Sequence, residues 1–557
     1  MTAIARRHFL RASTAAILVT AGASTAPGAT PIELPADHCD ALRRRKRRIV
    51  VQQDVYWVML KYAKMHPAAT PPFAPFRDVA FSYVDEPGSQ IDAIWWDIGG
   101  NASGAIPGSK VAPWLGPSLV DRWRREGIDW VGELVQETRR RNLEVFWNHR
   151  ISEVEILPEG GLGKEPDPLK TRHPDWVVPT TWWRHGMWNL ASPGLREHKV
   201  AMLREVTECY DLDGLQIDFA RHVPCLPVGR QWEHREHATE FMRMVRTMLL
   251  DVAKRRGRPL LLAARVPQTL DGCHADGFDV KTWAAQHLVD VLTLGSRSMD
   301  VDVEGMRAAV GPGVQLQPCF DDHHATDGYR YAPIEFLRGV FANHFQRGAD
   351  SVVTFNWALG RPELAEKIGG EIAPLSHQAA FKEVGDARTM AGKDKLFAVE
   401  RRGGYPWAEG FFNRNDTAPL PQSLSRERRS AKFTLHVSDA PPIGGRRALL
   451  TLCGILFQAE ESESFEARFN GIVLPPAIRN AEWKDPQIFS PKPSPTSGGK
   501  GDYKINPRQR LLRLEWAVPA GGWKAGRNEV EISMASSDAT VNSSVQIEKV
   551  EAHLRYL

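Results

Sequence analysis

Cysteine is scarce. There are six in 557 residues, at positions 39, 209, 225, 273, 319 and 453, and no two stand as a CxxC pair. A thiolate zinc site of the usual spacing is therefore excluded, and the wide scatter argues against a disulfide framework, although export would permit oxidation. A dominant charge of one sign is also missing: 71 Lys and Arg face 67 Asp and Glu, a net +4. That balance gives no reason to expect nucleic acid as a partner. No stretch approaches the roughly 20 apolar residues that a membrane helix requires. No G-x-G-x-x-G follows the first strand-like run, as a dinucleotide site would want. No cofactor and no metal are expected. With 42% hydrophobic and 25% charged residues the composition is ordinary for a globular protein, which excludes disordered and fibrous classes.

Tryptophan is plentiful at 18. It offers a broad apolar face and one polar handle, which suits a sugar cleft as well as a large core. The chain starts with Arg6 and Arg7 ahead of a short apolar run through residues 15–21, then Ala21-Gly22-Ala23. This reads as a twin-arginine export signal over 1–30, with a small-residue cleavage pattern and a periplasmic or extracellular destination. No cysteine closely follows the run, so a lipid-anchored mature end is not expected. Residues 31–48 contain the dense basic run 43–48 and read as a solvated linker, with a polyanion-binding arm as the alternative.

From residue 49 a repeated alternation sets in. Eight β-rich runs, at 49–54, 91–97, 143–148, 212–218, 259–265, 288–294, 314–318 and 351–357, are separated by segments with apolar residues at helical spacing, clearest at 118–141, 193–210 and 232–256. Strand–helix alternation predicts parallel strands with right-handed crossovers. Eight units are the count of a closed (β/α)8 TIM barrel, assigned to 49–378, with an open doubly wound sheet as the alternative. The longest gap, between the third and fourth runs, holds residues 159–163 and the Trp-rich stretch 176–188; in a barrel it lies on the face that carries the site. After about residue 390 helical periodicity fades. Short alternating runs at 432–437, 448–452, 511–516 and 545–550 predict an antiparallel, jelly-roll-like β-sandwich over 379–557, with 379–400 contributing a joining strand.

In such a barrel the side chains at the C-terminal strand ends converge on one pocket. Those ends carry Asp54, Asp97, Asn148-His149-Arg150, Asp218 with Arg221 and His222, Arg265, Arg297, Asp321-Asp322-His323 and Asn356-Trp357. Polar strand ends are common, and Arg221, His222 and His324 read as loop polarity. The concentration of carboxylates says more: glycoside hydrolysis needs one carboxylic acid and one carboxylate across the scissile bond. Asp218 is the leading catalytic candidate. It shares a strand face with Gln216, and an unpaired ionised Asp there would cost several kcal/mol, so a salt bridge to Arg221 or Arg265 is the competing structural reading. Candidates for the second carboxylate are Glu153, Asp321 and Asp322, with Asp97 and Asp300 behind them. The run Asp321-Asp322-His323-His324 has cation binding or plain loop as its alternatives. Asp54, Asp97, Asn148, His149, Gln216 and His323 are expected to contact sugar. Arg150, Arg265 and Arg297 could hold carboxylate or sulfate groups, which makes an anionic polysaccharide attractive. Trp95 and Trp147 read as core; Trp182, Trp183 and Trp188, with Trp96 and Trp357, read as stacking surfaces.

The stretch His173-Pro174-Asp175-Trp176, then Trp188-Asn189-Leu190-Ala191-Ser192-Pro193, Leu195-Arg196 and residues 210–222 resembles the bacterial glycosyl-hydrolase-like family-ten group. These are exported TIM barrels with an HP-x-W motif and a YD-x-DG-x-x-x-D-x-x-R segment. The resemblance spans roughly 49–360 and implies polysaccharide or glycan hydrolysis without specifying the bond. Many members carry an acid where Gln216 stands, and many have an R-M-N-D-like segment after strand three; Arg150-Ile151-Ser152-Glu153 is similar and nominates Glu153. Residues 521–532 resemble a strand of galactose-binding-like jelly rolls, which bind sugar or buttress a neighbouring domain. Two other readings stay open: a non-catalytic carbohydrate-binding barrel, suggested by Gln216, and a polysaccharide lyase working through a Tyr, His or Lys base. Nothing in the sequence sets the oligomeric state.

Overall fold

Runs such as Ile49-Val50-Val51 and Ile91–Trp96 are rich in β-branched and aromatic side chains, which fit a pleated surface covered on both faces. In the computed structural model they form eight parallel strands: β1 (Ile49–Asp54), β2 (Ile91–Asp97), β3 (Glu144–Arg150), β4 (Gly214–Asp218), β5 (Leu261–Val266), β6 (Val291–Leu294), β7 (Gln315–Phe320) and β8 (Val352–Phe355). Each pairs with its sequence neighbours and β1 closes on β8, so the sheet is a complete barrel. The structure describes residues 30–557 apart from 45, 99–103, 156, 158–162, 182, 296–297, 322–328, 330–331, 356, 358–360, 370–374, 402–417, 426–427, 443–446, 486–509 and 537–544.

Successive strand residues face opposite sides. One set of alternate residues, Val50, Ala93, Trp95, Phe146, Leu261, Ala263, Val291, Cys319, Val353 and Phe355, packs together inside the barrel. Trp95 stacks on Phe146 with centroids 4.5 Å apart. The other set, including Ile94, Trp96, Val145, Trp147, Leu215, Ile217, Leu262 and Leu292, packs against the surrounding helices. Strand β3 runs two residues past its expected end, so Arg150 rather than Asn148 closes it. The helix expected over 118–141 is two, Ser118–Arg125 and Trp130–Arg140. Gly127 between them takes φ +79°, a conformation closed to most side chains, and Asp129 caps the second helix by accepting from the Gly132 amide.

The solvated-linker reading of 31–48 is corrected. Residues Ala36–Arg44 form a helix at the N-terminal end of the barrel. His38 Nε2 lies 2.9 Å from Asp290 Oδ1, and Arg47 binds Glu144, the first residue of β3, through two hydrogen bonds of 2.8 and 2.6 Å. Arg48 pairs with Asp92 at 2.8 Å. Arg47 and Arg48 of the run therefore serve as partners for acids at the barrel floor.

The C-terminal part is a two-sheet sandwich with antiparallel strands, as the alternation predicts. One sheet contains β9 (Lys395–Ala398), β10 (Gln422–Leu424), β12 (Ala448–Phe457), β15 (Ile478–Asn480), β16 (Leu511–Val518) and β18 (Val545–Tyr556), in the order β9-β18-β12-β16-β15 with β10 also on β18. The other is β11 (Ser430–Val437), β17 (Gly526–Ser536), β13 (Ser464–Phe469) and β14 (Ile472–Val473), in that order. Phe433, Leu435, Leu452, Trp516, Val530, Ile532 and Val550 fill the space between. Strand β9 is the expected joining strand. The barrel helix Ile334–Gln346 approaches it so closely that a Cβ on Gly339 would lie 2.0 Å from the Leu396 carbonyl oxygen. Tyr329 donates to Glu551 at 2.8 Å and Ser298 to Glu400 at 2.6 Å across the same junction. In the jelly-roll-like segment Asn528 ties a turn, its amide donating to the Lys524 and Gly526 carbonyls at 2.9 and 3.0 Å. No helix among the described residues is long and apolar enough to cross a membrane.

Candidate functional site

The inward face set by Val50, Ala93, Phe146, Leu261, Val291 and Cys319 continues, two residues at a time, to the C-terminal end of each strand. It delivers Gln52 and Asp54 from β1, Asp97 from β2, Asn148 and Arg150 from β3, Gln216 and Asp218 from β4, Arg265 from β5 and Thr293 from β6, with Gln317 of β7, which precedes Cys319, in register with Thr293. Asp321 follows β7 on the same face and is buried. The apolar interior thus gives way to a layer of amides and charges at one end.

Arg150 is the hub. Its Nη2 donates to Asp54 Oδ2 at 2.6 Å, its Nε to Asp97 Oδ2 at 2.8 Å and its Nη1 to Glu153 Oε2 at 2.6 Å. Burial opposes the guanidinium charge, but Asp97, Asp54 and Glu153 outweigh it and hold its pKa well above the ordinary value. Glu153 also takes the Val154 amide at 3.0 Å and lies 2.7 Å from His222 Nδ1. Burial works against its charge, yet His222 and Arg150 hold the carboxyl well below the usual carboxylate range. Burial pushes His222 down despite that contact. Glu153 is thus poised as a permanent anion rather than as a proton donor.

Asp218 is buried beside Arg265, with Oδ2 3.1 Å from Nη1. Its Oδ1 accepts from the Ala220 and Arg221 amides at 3.1 and 2.9 Å, which fixes the turn after β4. Arg265 in turn donates to the Gly295 carbonyl at 3.1 Å and to Gln52 at 3.4 Å, and its guanidinium sits 4.2 Å from the Phe355 ring centroid. Gln216 donates to Thr293 at 2.7 Å. Asp97 differs from its neighbours. Burial raises its pKa, Arg150 opposes, and Asp54, Asp218 and Glu153 add to the rise, which reaches about 7.

Other expected contacts turn away; Trp96 and His149 do so because they alternate with the inward residues of their strands. Trp96 faces the helices, donating to Thr138 at 3.0 Å and packing on Phe81. His149 lies outside the barrel wall against Gly104, where burial, Lys199 and His198 keep its pKa well below the ordinary value. Trp188 is buried, with the Lys170 and Lys199 ammoniums 5.3 and 5.4 Å from its ring centroid, and Trp183 donates to Glu155. Trp357 donates to the Phe320 carbonyl at 3.0 Å and stacks on His377. These rings pack rather than face the mouth. Asp300 pairs with Arg347 at 2.8 Å, away from the cluster. Arg297, Asp322, His323, His324, Trp182 and Asn356 lie outside the described residues. Gln52, Thr293 and Gln317 were not singled out from the sequence, although counting back by two from Asp54 reaches Gln52. His222 was read as loop polarity and stands against Glu153. Among the described residues, no group of three His, Cys, Asp or Glu side chains is arranged to hold a metal ion.

Residues 85–228 match the family described as glycosyl hydrolase-like 10. That glycosyl hydrolase-like segment carries β2, β3 and β4, and with them Asp97, Asn148, Arg150, Glu153, Gln216, Asp218 and His222. No curated protein matches the chain in sequence. Among solved structures, it is similar to a glycoside hydrolase family 18 N-acetylglucosaminidase from Paenibacillus barengoltzii, at 12% identity and TM-score 0.25, over 45% of this chain and 54% of that one. It is similar also to α-L-fucosidase isoenzyme 2 from Paenibacillus thiaminolyticus, at 13% identity and TM-score 0.37, over 61% of this chain and 49% of that one. An Anoxybacillus α-amylase aligns at 11% identity and TM-score 0.38, over 89% of this chain and 99% of that one. The chain thus spans about half the length of the first two.

Proposed function

We propose that the protein is an exported glycoside hydrolase acting on a polysaccharide or glycan, anionic ones included, with Asp218 as the ionised carboxylate. The observation that supports this reading most is the convergence of Asp54, Asp97, Glu153 and Asp218, drawn from four successive β/α units, around Arg150 and Arg265 at one barrel end. Arg265 aims the Asp218 carboxylate, which acts either as nucleophile or as base for water. Gln52, Asn148 and Gln216 are the hydroxyl-binding groups beside it, and the arginines suit a uronic or sulfated sugar. The Arg6-Arg7 segment supports export.

A second reading has its own support. Asp218 is fully buried, and each of its oxygens has a partner, as in a structural ion pair beneath a sugar-binding surface that turns nothing over. Reducing-end release from a glycan panel separates the two. Asp218→Asn should lower kcat/KM by on the order of 10³-fold while glycan binding persists. A wild type that binds a glycan yet releases no reducing ends from any panel member would establish the second reading.

A further inference from the structure

The four clustered acids present eight carboxyl oxygens. Asp54 uses Oδ1 for the Tyr56 amide and Oδ2 for Arg150. Glu153 uses Oε1 for the Val154 amide and Oε2 for Arg150. Asp218 uses Oδ1 for the Ala220 and Arg221 amides and Oδ2 for Arg265. Asp97 uses Oδ2 for Arg150 and Asn148, at 2.8 and 3.0 Å. Its Oδ1 alone is buried with no hydrogen-bond partner among the described residues.

Charge points to the same atom. Asp97 faces Asp54 from β1, Glu153 from the turn after β3 and Asp218 from β4, against Arg150 from β3, while Arg265 on β5 is bound to Asp218. Three anions and one cation around a buried carboxyl disfavour a fourth anion. The other three each hold amide or guanidinium donors on both oxygens, which stabilise their charge. The proton therefore belongs on Asp97.

We propose, resting on the hydrolase reading, that Asp97 is the general acid: its Oδ1 hydrogen passes to the glycosidic oxygen as the bond to the anomeric carbon breaks. The bonding pair leaves with that oxygen, which departs as a neutral hydroxyl. The anomeric carbon takes either the Asp218 carboxylate or a water that Asp218 deprotonates. In the first course water then releases the glycosyl group and returns its proton to Asp97; in the second Asp218 gives up that proton to solvent and Asp97 takes one back from it.

The test uses Asp97→Asn in the full-length protein, with a glycan the wild type cleaves and its matched 2,4-dinitrophenyl glycoside, whose leaving group needs no proton. Activity on the glycan should fall about 10²- to 10⁴-fold, while that on the dinitrophenyl glycoside falls less than about tenfold. The wild-type decline in kcat/KM as pH rises through about 7 should vanish in the variant. Equal losses on both substrates, or an unaltered pH profile, would overturn the assignment. Infrared titration supplies a readout without turnover. The wild type should show a protonated-carboxyl carbonyl band at pH 6 that bleaches on passing neutrality and is missing from Asp97→Asn. A wild type lacking that band disproves the proposal even if the variant misfolds. A wild type that shows the band and cleaves neither substrate overturns the hydrolase reading, and the acid role with it.

Discussion

At the scale of single residues, Arg150 carries an unusual burden. One guanidinium, almost wholly buried, satisfies three carboxyl groups from three segments of chain. Its planar fork can do this; an ammonium with one centre cannot, so Arg150→Lys should behave nearly as badly as Arg150→Met. Removing the charge strands buried anions, a change that typically costs about 3–5 kcal/mol. Glu153, held ionised by His222 and Arg150 in the native protein, would take up a proton instead. The deficit of Arg150→Met, measured by denaturant unfolding, should therefore be largest at pH 7 and shrink by pH 5; an equal deficit at both would show that packing, not charge, is what Arg150 supplies. The presence of these residues at strand ends was legible in the sequence. Their division into anions and a proton carrier was not, since that depends on which oxygens meet which donors.

At the scale of elements, β4 shows how closely the strands pack. A Cβ on Gly214 would lie 2.5 Å from both the Leu261 carbonyl oxygen and the Phe146 ring. Phe146 cannot retreat, because Trp95 stacks on its face. Gly214→Ala should therefore destabilise by about 1–3 kcal/mol, the usual cost of overpacking, whereas Gly313→Ala, with open space at its Cβ, should be nearly neutral. Thermal unfolding of the pair decides it; similar midpoints would mean that β4 can shift. Strand positions and order were readable because apolar runs and intervening helical periods leave a strong pattern. Boundaries were less so: β3 gains two residues, and one expected helix breaks at Gly127. The long segment after β3 was expected to offer Trp188 to a ligand. Buried Lys170 and Lys199 claim that ring instead, and Lys170 is anchored by Glu155 and the Gly186 carbonyl, each at 2.7 Å. Tryptophan abundance cannot distinguish a stacking platform from a packed ring.

At the scale of the whole molecule, the two ends of the barrel use charge differently. At the floor Asp290 accepts from the Leu262 amide at 2.7 Å and pairs with His38 and Arg246, each at 2.9 Å, so every partner reinforces one anion. Burial opposes that charge, but Arg246 and His38 prevail and hold the Asp290 pKa at about 2, below its ordinary 3.8. A depressed folded-state pKa stabilises above the unfolded value and loses that contribution as pH falls through the folded one. Wild type should therefore exceed Asp290→Asn in urea midpoint at pH 7, and the margin should narrow between about pH 4 and pH 2. A margin independent of pH across that window would assign the effect to shape alone. At the opposite end acids outnumber the arginines they touch, and the excess is what places a proton on Asp97.

The linear chain determined the barrel, its strand order, the trailing sandwich and which strand ends carry acids, because these follow from periodicities of two and 3.6 that each short segment displays by itself. Only the closed tertiary structure decided that Trp188 and Trp357 pack away from the mouth, that basic residues near position 40 seal the floor, and that one carboxyl oxygen among eight has no partner among the described residues. Those outcomes depend on strand stagger and on contacts between residues as far apart as 252 positions, such as His38 and Asp290, which local pattern does not encode.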